Sequence, residues 1–567
     1  MLESETIRPD HATAALEAVS LPLADRDWWR GAVIYQVYPR SFQDSNGDGI
    51  GDLAGIAARL PHIAGLGVDA VWISPFMTSP MDDFGYDVSD YRDVDPIFGT
   101  LHDFDALVAR AHELGLKVMI DLVLSHSSDR HPWFAESRRD RTNSRADWYV
   151  WADAKADGSP PNNWLSNFGG SSWEWDAGRQ QYYLHNFLIS QPDLNFNHPA
   201  VQDAMLDVTR FWLDRGVDGF RLDTVNFYVH DAELRDNPPL AEAHWNERTA
   251  PRDRPYNRQD HLYDKNRPEN LAFLRRFRAL LDAYPAATAI GEVGELIRGI
   301  ELMGEYTRGT DRLHMCYAFD FLNTVLPEVD DIRPVIERFS QAAADGWPCW
   351  AFSNHDVVRH ATRWAAGHED REAILRLAAA ILLSVRGSVC LYQGEEIGQT
   401  EAEIAYEDIV DPWGKRFWPT IKGRDGCRTP MVWESDAPQG GFTTAAHPWL
   451  PVPPEHLPMA VDRQVGQAGS LLEYYRAFLA FRRSHPALVR GDIAFLDWAP
   501  GLLAFRREFE GERIVCVFNL SGQPVDIAWP SDLERVSALG PEAGGPAKLA
   551  AGRLALGRHD SFFAQLN

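Results

Sequence analysis

KVMIDLVL, residues Lys117–Leu124, is the stretch from which the fold is read. Its apolar character is continuous rather than alternating. That pattern suits a parallel strand with both faces buried. Similar runs occur at Ala32–Pro39 (AVIYQVYP), Ala70–Pro75 (AVWISP), Gly219–Asp223 (GFRLD) and Thr288–Val293 (TAIGEV). Three more follow at His314–Phe321, Pro348–Ser353 and Ser388–Gln393. Helical patterns lie between them, near Leu53–Leu66, Leu101–Leu114 and Ala200–Arg215. Eight such units predict an α/β fold, a (β/α)8 TIM barrel.

One unit breaks the rhythm. About 75 residues rich in Trp, Asn, Ser and Gly separate the third strand from its helix. A structureless loop of that length is improbable, so a small inserted domain is expected at 127–192. The barrel then occupies 27–126 and 193–486, with long excursions after the fourth strand (about 230–270) and the eighth (about 399–470). Past Pro486 the chain changes to short, partly alternating stretches at Phe495–Trp498, Leu502–Arg507 and Ile514–Leu520. Residues 487–567 are read as an antiparallel β-sandwich domain. Residues 1–26 read as a tail.

The 567 residues are 45% hydrophobic and 24% charged, enough for a large core and too ordered for wholesale disorder. A formal net charge of −27 repels phosphate, so neither nucleic acid nor an anionic membrane is an expected partner. The start, MLESETIRPDHATAALEAVS, lacks a basic segment followed by an apolar one, so no signal peptide is expected. No apolar run reaches the roughly 20 residues that span a bilayer. The five cysteines form no CxxC pair, and reduced, buried thiols in a cytoplasmic monomer or homodimer are the expectation.

Three acidic residues follow barrel strands. In GFRLDTVN (Gly219–Asn226), Arg221 and Asp223 lie two apart and share a strand face. A fixed cation there holds Asp223 ionised, as a nucleophile requires. A structural ion pair is the alternative. Glu292 ends AIGEV without a basic neighbour in sequence, so burial should raise its pKa as a general acid requires. Asp356 follows His355 in FSNHDVVR, a pair that could bind metal, exchange protons or grip sugar hydroxyls. Placed at the ends of strands four, five and seven, the three acids make one site. Two carboxylates suffice for a retaining glycosidase, and a third can stabilise a cationic transition state.

The ordered blocks IYQVYPRSF, DSNGDGIGDLAGI, GVDAVWISP, GYDVSDY, DLVLSHSSDRHPWF, QPDLNFNHP, GFRLDTVN, AIGEV, FSNHD, YQGEEIG and RTPMVW run from Ile34 to Trp433. With these blocks the chain resembles the α-amylase family, glycoside hydrolase family 13, in its α-glucosidase and oligo-1,6-glucosidase branch. The resemblance implies Asp223 as nucleophile, Glu292 as acid/base and Asp356 as transition-state stabiliser. It also implies that Asp87, His126, Arg221 and His355 hold glucose, that Arg424 joins Asp87 in gripping it, and that Tyr86 stacks on it. One block departs from the family: its usual Asn-His pair is Ser125-His126 here. GEEIG (394–398) and HPWF (131–134) are read as structural.

DSNGDGIGD (Asp44–Asp52) sets Asp44, Asn46, Asp48 and Asp52 at alternating positions around glycines, with the Ile50 carbonyl as a further oxygen donor. Such a loop suits calcium, and an Asx-turn loop without metal is the alternative. Resemblance favours a structural Ca2+. Thr224 follows the nucleophile directly. In this branch Val there accompanies α-1,6 specificity, and Ala or Thr accompanies α-1,4. The resemblance therefore implies an exo-acting α-glucosidase for terminal α-1,4 bonds in short substrates such as maltose, with transglucosylation as a competing outcome. An oligo-1,6-glucosidase or a sucrose-acting transglucosylase is the alternative within the family.

Overall fold

The computed structural model describes residues 26–245, 254–531, 533, 536–540 and 547–566. The expected N-terminal tail therefore lies outside the described residues, apart from Arg26. Eight parallel strands form the central sheet: β1 Val33–Val37, β2 Ala70–Ile73, β3 Lys117–Leu122, β4 Gly219–Leu222, β5 Thr288–Val293, β6 Met315–Ala318, β7 Cys349–Trp350 and β8 Ser388–Tyr392. Their order is β6-β5-β4-β3-β2-β1-β8-β7. A parallel bridge between Cys316 and Pro348 joins β6 to the start of β7 and closes the barrel.

The continuous apolar runs are explained by two separate cores. Along β1, Ile34 enters a cluster with Trp72, Met119, Ile290, Met315 and Cys390 inside the barrel. Val33, Tyr35 and Val37 enter the larger cluster between strands and helices. Residues on both faces are thus removed from water, and no polar face is left to produce alternation.

The strands end earlier than the apolar pattern suggested. β1 stops at Val37, β3 at Leu122, β6 at Ala318 and β7 at Trp350. Most of the residues beyond stay buried but leave the ladder, because the carboxyl-end loops bend there to carry side chains over the barrel mouth. The helices match their patterns closely, at Leu53–Leu66, Leu101–Glu113 and Pro199–Asp214. Asp52 caps the first of these, its carboxylate accepting from Gly55 N at 2.7 Å.

Between β3 and β4, the strands Trp151–Ala152, Gln181–Leu184 and Trp173–Asp176 form a small antiparallel sheet in that order. Bridges His126–Asp193 and Tyr149–Leu194 close its base beside the barrel mouth. At the C-terminus a five-stranded antiparallel sheet faces a three-stranded one. Leu502, Val515, Val517, Leu554, Leu556 and Phe562 from both sheets share one core. The first strand of this region is Asp492–Phe495, not Phe495–Trp498. Phe495 begins the predicted stretch but ends the ladder, opposite Phe505.

All five cysteines are buried and unpaired by disulfides. Among the described residues no helix is long and apolar enough to cross a membrane.

Candidate active site

Strand register builds the site. Asp121 on β3 lies opposite Arg221 on β4, and Glu292 on β5 lies opposite Tyr317 on β6. Side chains at paired positions of parallel strands share a face, here the barrel interior. Arg221 is almost completely buried and grips three carboxylates. Its Nη1 donates to Asp121 Oδ1 and to Asp223 Oδ1, both at 2.7 Å, and its Nη2 lies 2.6 Å from Glu292 Oε2. Nε and Nη2 both donate to Tyr317 Oη at 3.1 Å, and that hydroxyl donates to Glu292 Oε1 at 3.1 Å.

A cavity of about 240 Å³ opens over this cluster at the carboxyl ends of the strands. Asp223, Glu292 and Asp356 line it together, with Tyr86, His126 and Arg424. Asp83 and Thr224 line it as well. Its volume is below the usual range for drug-sized sites and suits one small ring better than a long chain. Phe168, Phe187, Phe227 and Trp413 give it an aromatic side.

Two expected residues stand behind the cavity rather than on it. His355 is fully buried: its Nε2 lies 2.6 Å from Tyr86 Oη and 3.2 Å from Asp356 Oδ2, and its Nδ1 lies 2.7 Å from Gln36 Nε2. Its ring is parallel to Tyr86. Arg221 likewise reaches the cavity only through the carboxylates it holds. Both orient groups that line the site.

Asp87 requires a correction. Its carboxylate accepts from Ser79 Oγ (2.8 Å), Asp82 N (2.9 Å) and Asp83 N (3.1 Å). It is fully buried beneath the 79–87 loop and does not touch Arg424. The partner of Arg424 in the cavity is Asp83, at 2.7 Å. The two acids sit four apart in MDDFGYD. Asp87 folds the loop that presents Asp83.

The separation of Asp223 and Glu292 by Arg221 also fails. Arg221 holds both, and burial outweighs it at both. Burial, with Asp121 and Asp356 nearby, pushes Asp223 upward against the Arg221 cation. Burial, with Asp223 and Asp356, pushes Glu292 up to about 7. Two such carboxyls on one guanidinium favour sharing a single proton. Asp356 differs. Burial works to raise it, but the Arg424 and Arg428 cations outweigh burial and hold it well below the ordinary carboxylate range. Arg428 Nη2 donates to Asp356 Oδ1 at 2.9 Å, and Arg424 Nη1 does so at 3.3 Å. Burial pushes the rings of His126 and His355 down to about 3, so both are neutral.

Three guanidiniums (Arg221, Arg424, Arg428) thus face six carboxylates: Asp83, Asp121, Asp223, Glu292, Asp356 and Asp411. The excess of negative charge favours a positive charge developing in the cavity. Thr224 joins the two coupled acids. Its N–H donates to Glu292 Oε2 at 3.0 Å and its hydroxyl to Asp223 Oδ2 at 3.1 Å. It does so in the left-handed region, φ 39° and ψ 51°. A β-branched residue there is strained by about 1–3 kcal/mol.

Asp83, Asp121, Tyr317, Arg428 and Asp411 were missed in the sequence reading. Asp121 was visible as the single acid within KVMIDLVL. Asp411 precedes Pro412 and caps a short helix, accepting from Trp413 N, while it holds Arg424 at 2.8 Å.

The Asp44–Asp52 loop lies apart from the three acids. Asp44 accepts from the N–H groups of Asn46, Gly47 and Gly49 and from the Thr443 hydroxyl. Asp52 accepts from Ser45 and Gly55. The donor set is all oxygen, as calcium prefers. The carboxylates close Asx turns, and no three acidic, His or Cys side chains converge as a metal cluster among the described residues.

The α-amylase catalytic-domain model matches residues 36–491. A Rhizobium meliloti protein described as a probable alpha-glucosidase is 64% identical over 504 residues, 89% of this chain and 91% of that protein. An oligo-1,6-glucosidase of Heyndrickxia coagulans is 36% identical, covering 89% of this chain and 94% of its own. Among solved structures, the alpha-glucosyl transfer enzyme XgtA is similar with a TM-score of 0.91 and 54% identity, covering 95% of this chain and 99% of that one. The trehalulose synthase MutB of Pseudomonas mesoacidophila follows at a TM-score of 0.83 and 33% identity, with coverage of 95% and 99%.

The raised pKa of Glu292 makes a prediction about stability. Its carboxyl ionises near pH 4.3 in the unfolded chain and at about 7 in the folded protein. Stability is therefore lost as pH rises through that window. Glu292→Gln removes the penalty, so the variant should be more stable than the parent by about 3–4 kcal/mol at pH 8 and by little at pH 4.5. Urea denaturation at both pH values checks this, and an equal difference at both would contradict it.

Proposed function

The chain belongs to the α-amylase family of glycoside hydrolases, and from that premise we propose that it is a retaining, exo-acting α-glucosidase for terminal α-1,4-linked glucose in short substrates. The observation that carries the proposal is the bridging of Asp223 and Glu292 by one guanidinium in the floor of a small cavity, with ionised Asp356 lining it too. Neighbouring nitrogens of one planar fork hold the two carboxyls close together. A short separation suits attack by one carboxylate on the sugar, rather than a water placed between two.

In this reading Asp223 attacks the anomeric carbon and Glu292 protonates the departing oxygen. The proton shared by the pair supplies both needs at once: one anion and one acid. Asp356, kept ionised by Arg424 and Arg428, stabilises the cationic sugar in the transition state. Water then attacks the β-glucosyl ester with Glu292 as base, so the α configuration is kept. Asp83 and Arg424 lie at the cavity wall, where sugar hydroxyls would meet a charged donor and acceptor side by side. His126, neutral, lines the cavity with its ring nitrogens already engaged by Ser125 and the Tyr86 carbonyl.

Small cavity volume supports removal of single terminal glucose units. Thr224 supports α-1,4 preference. The XgtA likeness favours a second outcome at the same site, in which an acceptor alcohol replaces water. The aromatic side formed by Phe168, Phe227 and Trp413 would hold such an acceptor by its apolar face.

Incubation with maltose, isomaltose, sucrose and trehalose, with products followed by NMR, tests the specificity. Maltose should be cleaved at least about tenfold faster than isomaltose, a difference of about 1.4 kcal/mol in transition-state binding. Isomaltose cleaved equally well would overturn the α-1,4 assignment while leaving the mechanism intact.

We propose in addition that the Asp44–Asp52 loop takes a structural calcium ion, with side-chain oxygens of Asp44, Asn46, Asp48 and Asp52 and the Ile50 carbonyl as donors. The oxygen-only donor set and the tight turns at Gly47 and Gly49 support this. No catalytic step depends on the ion. Millimolar Ca2+ added to chelator-treated protein should raise Tm by several degrees, through preferential binding to the folded state. An unchanged Tm across the titration would mean that the Asx turns suffice by themselves.

A further inference from the structure

Thr224 holds its hydroxyl between two acceptors, Asp223 Oδ2 at 3.1 Å and Ser125 Oγ at 3.2 Å. A hydroxyl has one hydrogen and serves one acceptor at a time. The Ser125 hydroxyl has its own partner, His126 Nδ1, at 2.8 Å. The His126 ring is neutral, and its Nε2 lies 3.1 Å from the Tyr86 carbonyl, which can only accept. Nε2 also lies 3.3 Å from the Gln191 amide nitrogen, but its shorter contact is to the carbonyl, which places the ring hydrogen on Nε2, so that Nδ1 accepts and Ser125 is the donor to it. The Ser125 oxygen then faces Thr224 with a free lone pair.

We propose that Ser125 and Thr224 form a hydroxyl switch for Asp223, in which the Thr224 hydrogen rests on the anionic carboxylate and swings to Ser125 Oγ once Asp223 becomes a glucosyl ester. The inference rests on the reading of Asp223 as nucleophile. Both residues are positioning residues, acting through Asp223. During the step the bond from Asp223 to the anomeric carbon forms and the glycosidic bond breaks. The leaving oxygen takes the Glu292 proton. The Thr224 hydrogen stays on its own oxygen throughout and changes only its acceptor. Loss of charge at Asp223 then leaves no hydrogen bond unmade.

The charged and titratable groups facing Asp223 are Arg221 on β4, Asp121 on β3, Glu292 on β5 and Asp356 beyond β7, with the phenols of Tyr86, Tyr91 and Tyr228. Substitution at 125 or 224 changes none of them, so movement of the acid limb in such variants reports the hydroxyl chain.

The test is the pH profile of kcat/KM on 4-nitrophenyl α-glucoside. Thr224→Val keeps the shape but removes the donor to the anion, so the acid limb should move up by about half a unit to one unit. Ser125→Ala strands the hydrogen on the anion, so the limb should stay or move down while kcat falls several-fold. Thr224→Ser, which keeps the hydroxyl, should restore the parent profile. Movement of the limb in the same direction in Thr224→Val and Ser125→Ala would overturn the switch. So would an unmoved limb in Thr224→Val, or Thr224→Ser behaving like Thr224→Val. Asp223→Asn separates the two levels of the argument, because full turnover in that variant refutes the nucleophile assignment itself.

Discussion

The guanidinium of Arg221 is the interaction on which the rest of the site depends. It is buried at the level where the barrel's apolar filling gives way to polar side chains, and it meets Asp121, Asp223 and Glu292 from three neighbouring strands. None of these acids could stay buried and charged alone, since an isolated ion loses far more hydration than a barrel interior returns. The parallel register sets Asp121 beside Arg221 directly; Asp223 follows two residues along the same segment, and Glu292 lies two residues beyond Ile290, the partner of Arg221 on β5. One cation for three acids leaves the cluster short of positive charge. That shortage lifts Asp223 and Glu292 together and makes a shared proton their stable state near neutrality.

Asp356 is the complementary case. It hangs from the loop after β7 and is served by two arginines, Arg424 and Arg428, drawn from the long excursion after β8. These two cations keep it ionised, and its charge in turn pushes Asp223 and Glu292 upward. The site holds one permanently anionic group and one pair that exchanges a proton, which is the division that double displacement requires. The cost shows in stability: a buried acid raised towards neutrality weakens the fold where the enzyme would work, and Thr224 adds backbone strain at the same point.

The barrel was legible because its strands are buried on both faces, so KVMIDLVL and its counterparts stand out as unbroken apolar runs. Strand ends were less legible, since side chains at the barrel mouth stay buried after the ladder has stopped. The three acids were legible at strand ends. Their partners were not. Arg428 and Asp411 lie far along the chain, in segments without periodic pattern, and only the fold brings them to Asp356 and Arg424. Asp83 and Asp87 are both acids of one short motif. Which faces the cavity depends on how the loop closes over Asp87, and spacing carries no sign of that. Glu292 looked free of cations because its neighbour in sequence is not its neighbour in space, where Arg221 sits on the adjoining strand.

The central claim is that Asp223, held with Glu292 on one guanidinium, forms a covalent bond to glucose. Brief reaction with a 5-fluoro-α-glucosyl fluoride, which slows hydrolysis of the ester, followed by proteolysis and mass spectrometry, tests it most directly. The account predicts one fluoroglucosyl adduct per chain, on the peptide containing Gly219–Asn226 and carried by Asp223. An adduct on Glu292 or Asp356, or inactivation without any adduct, would contradict it.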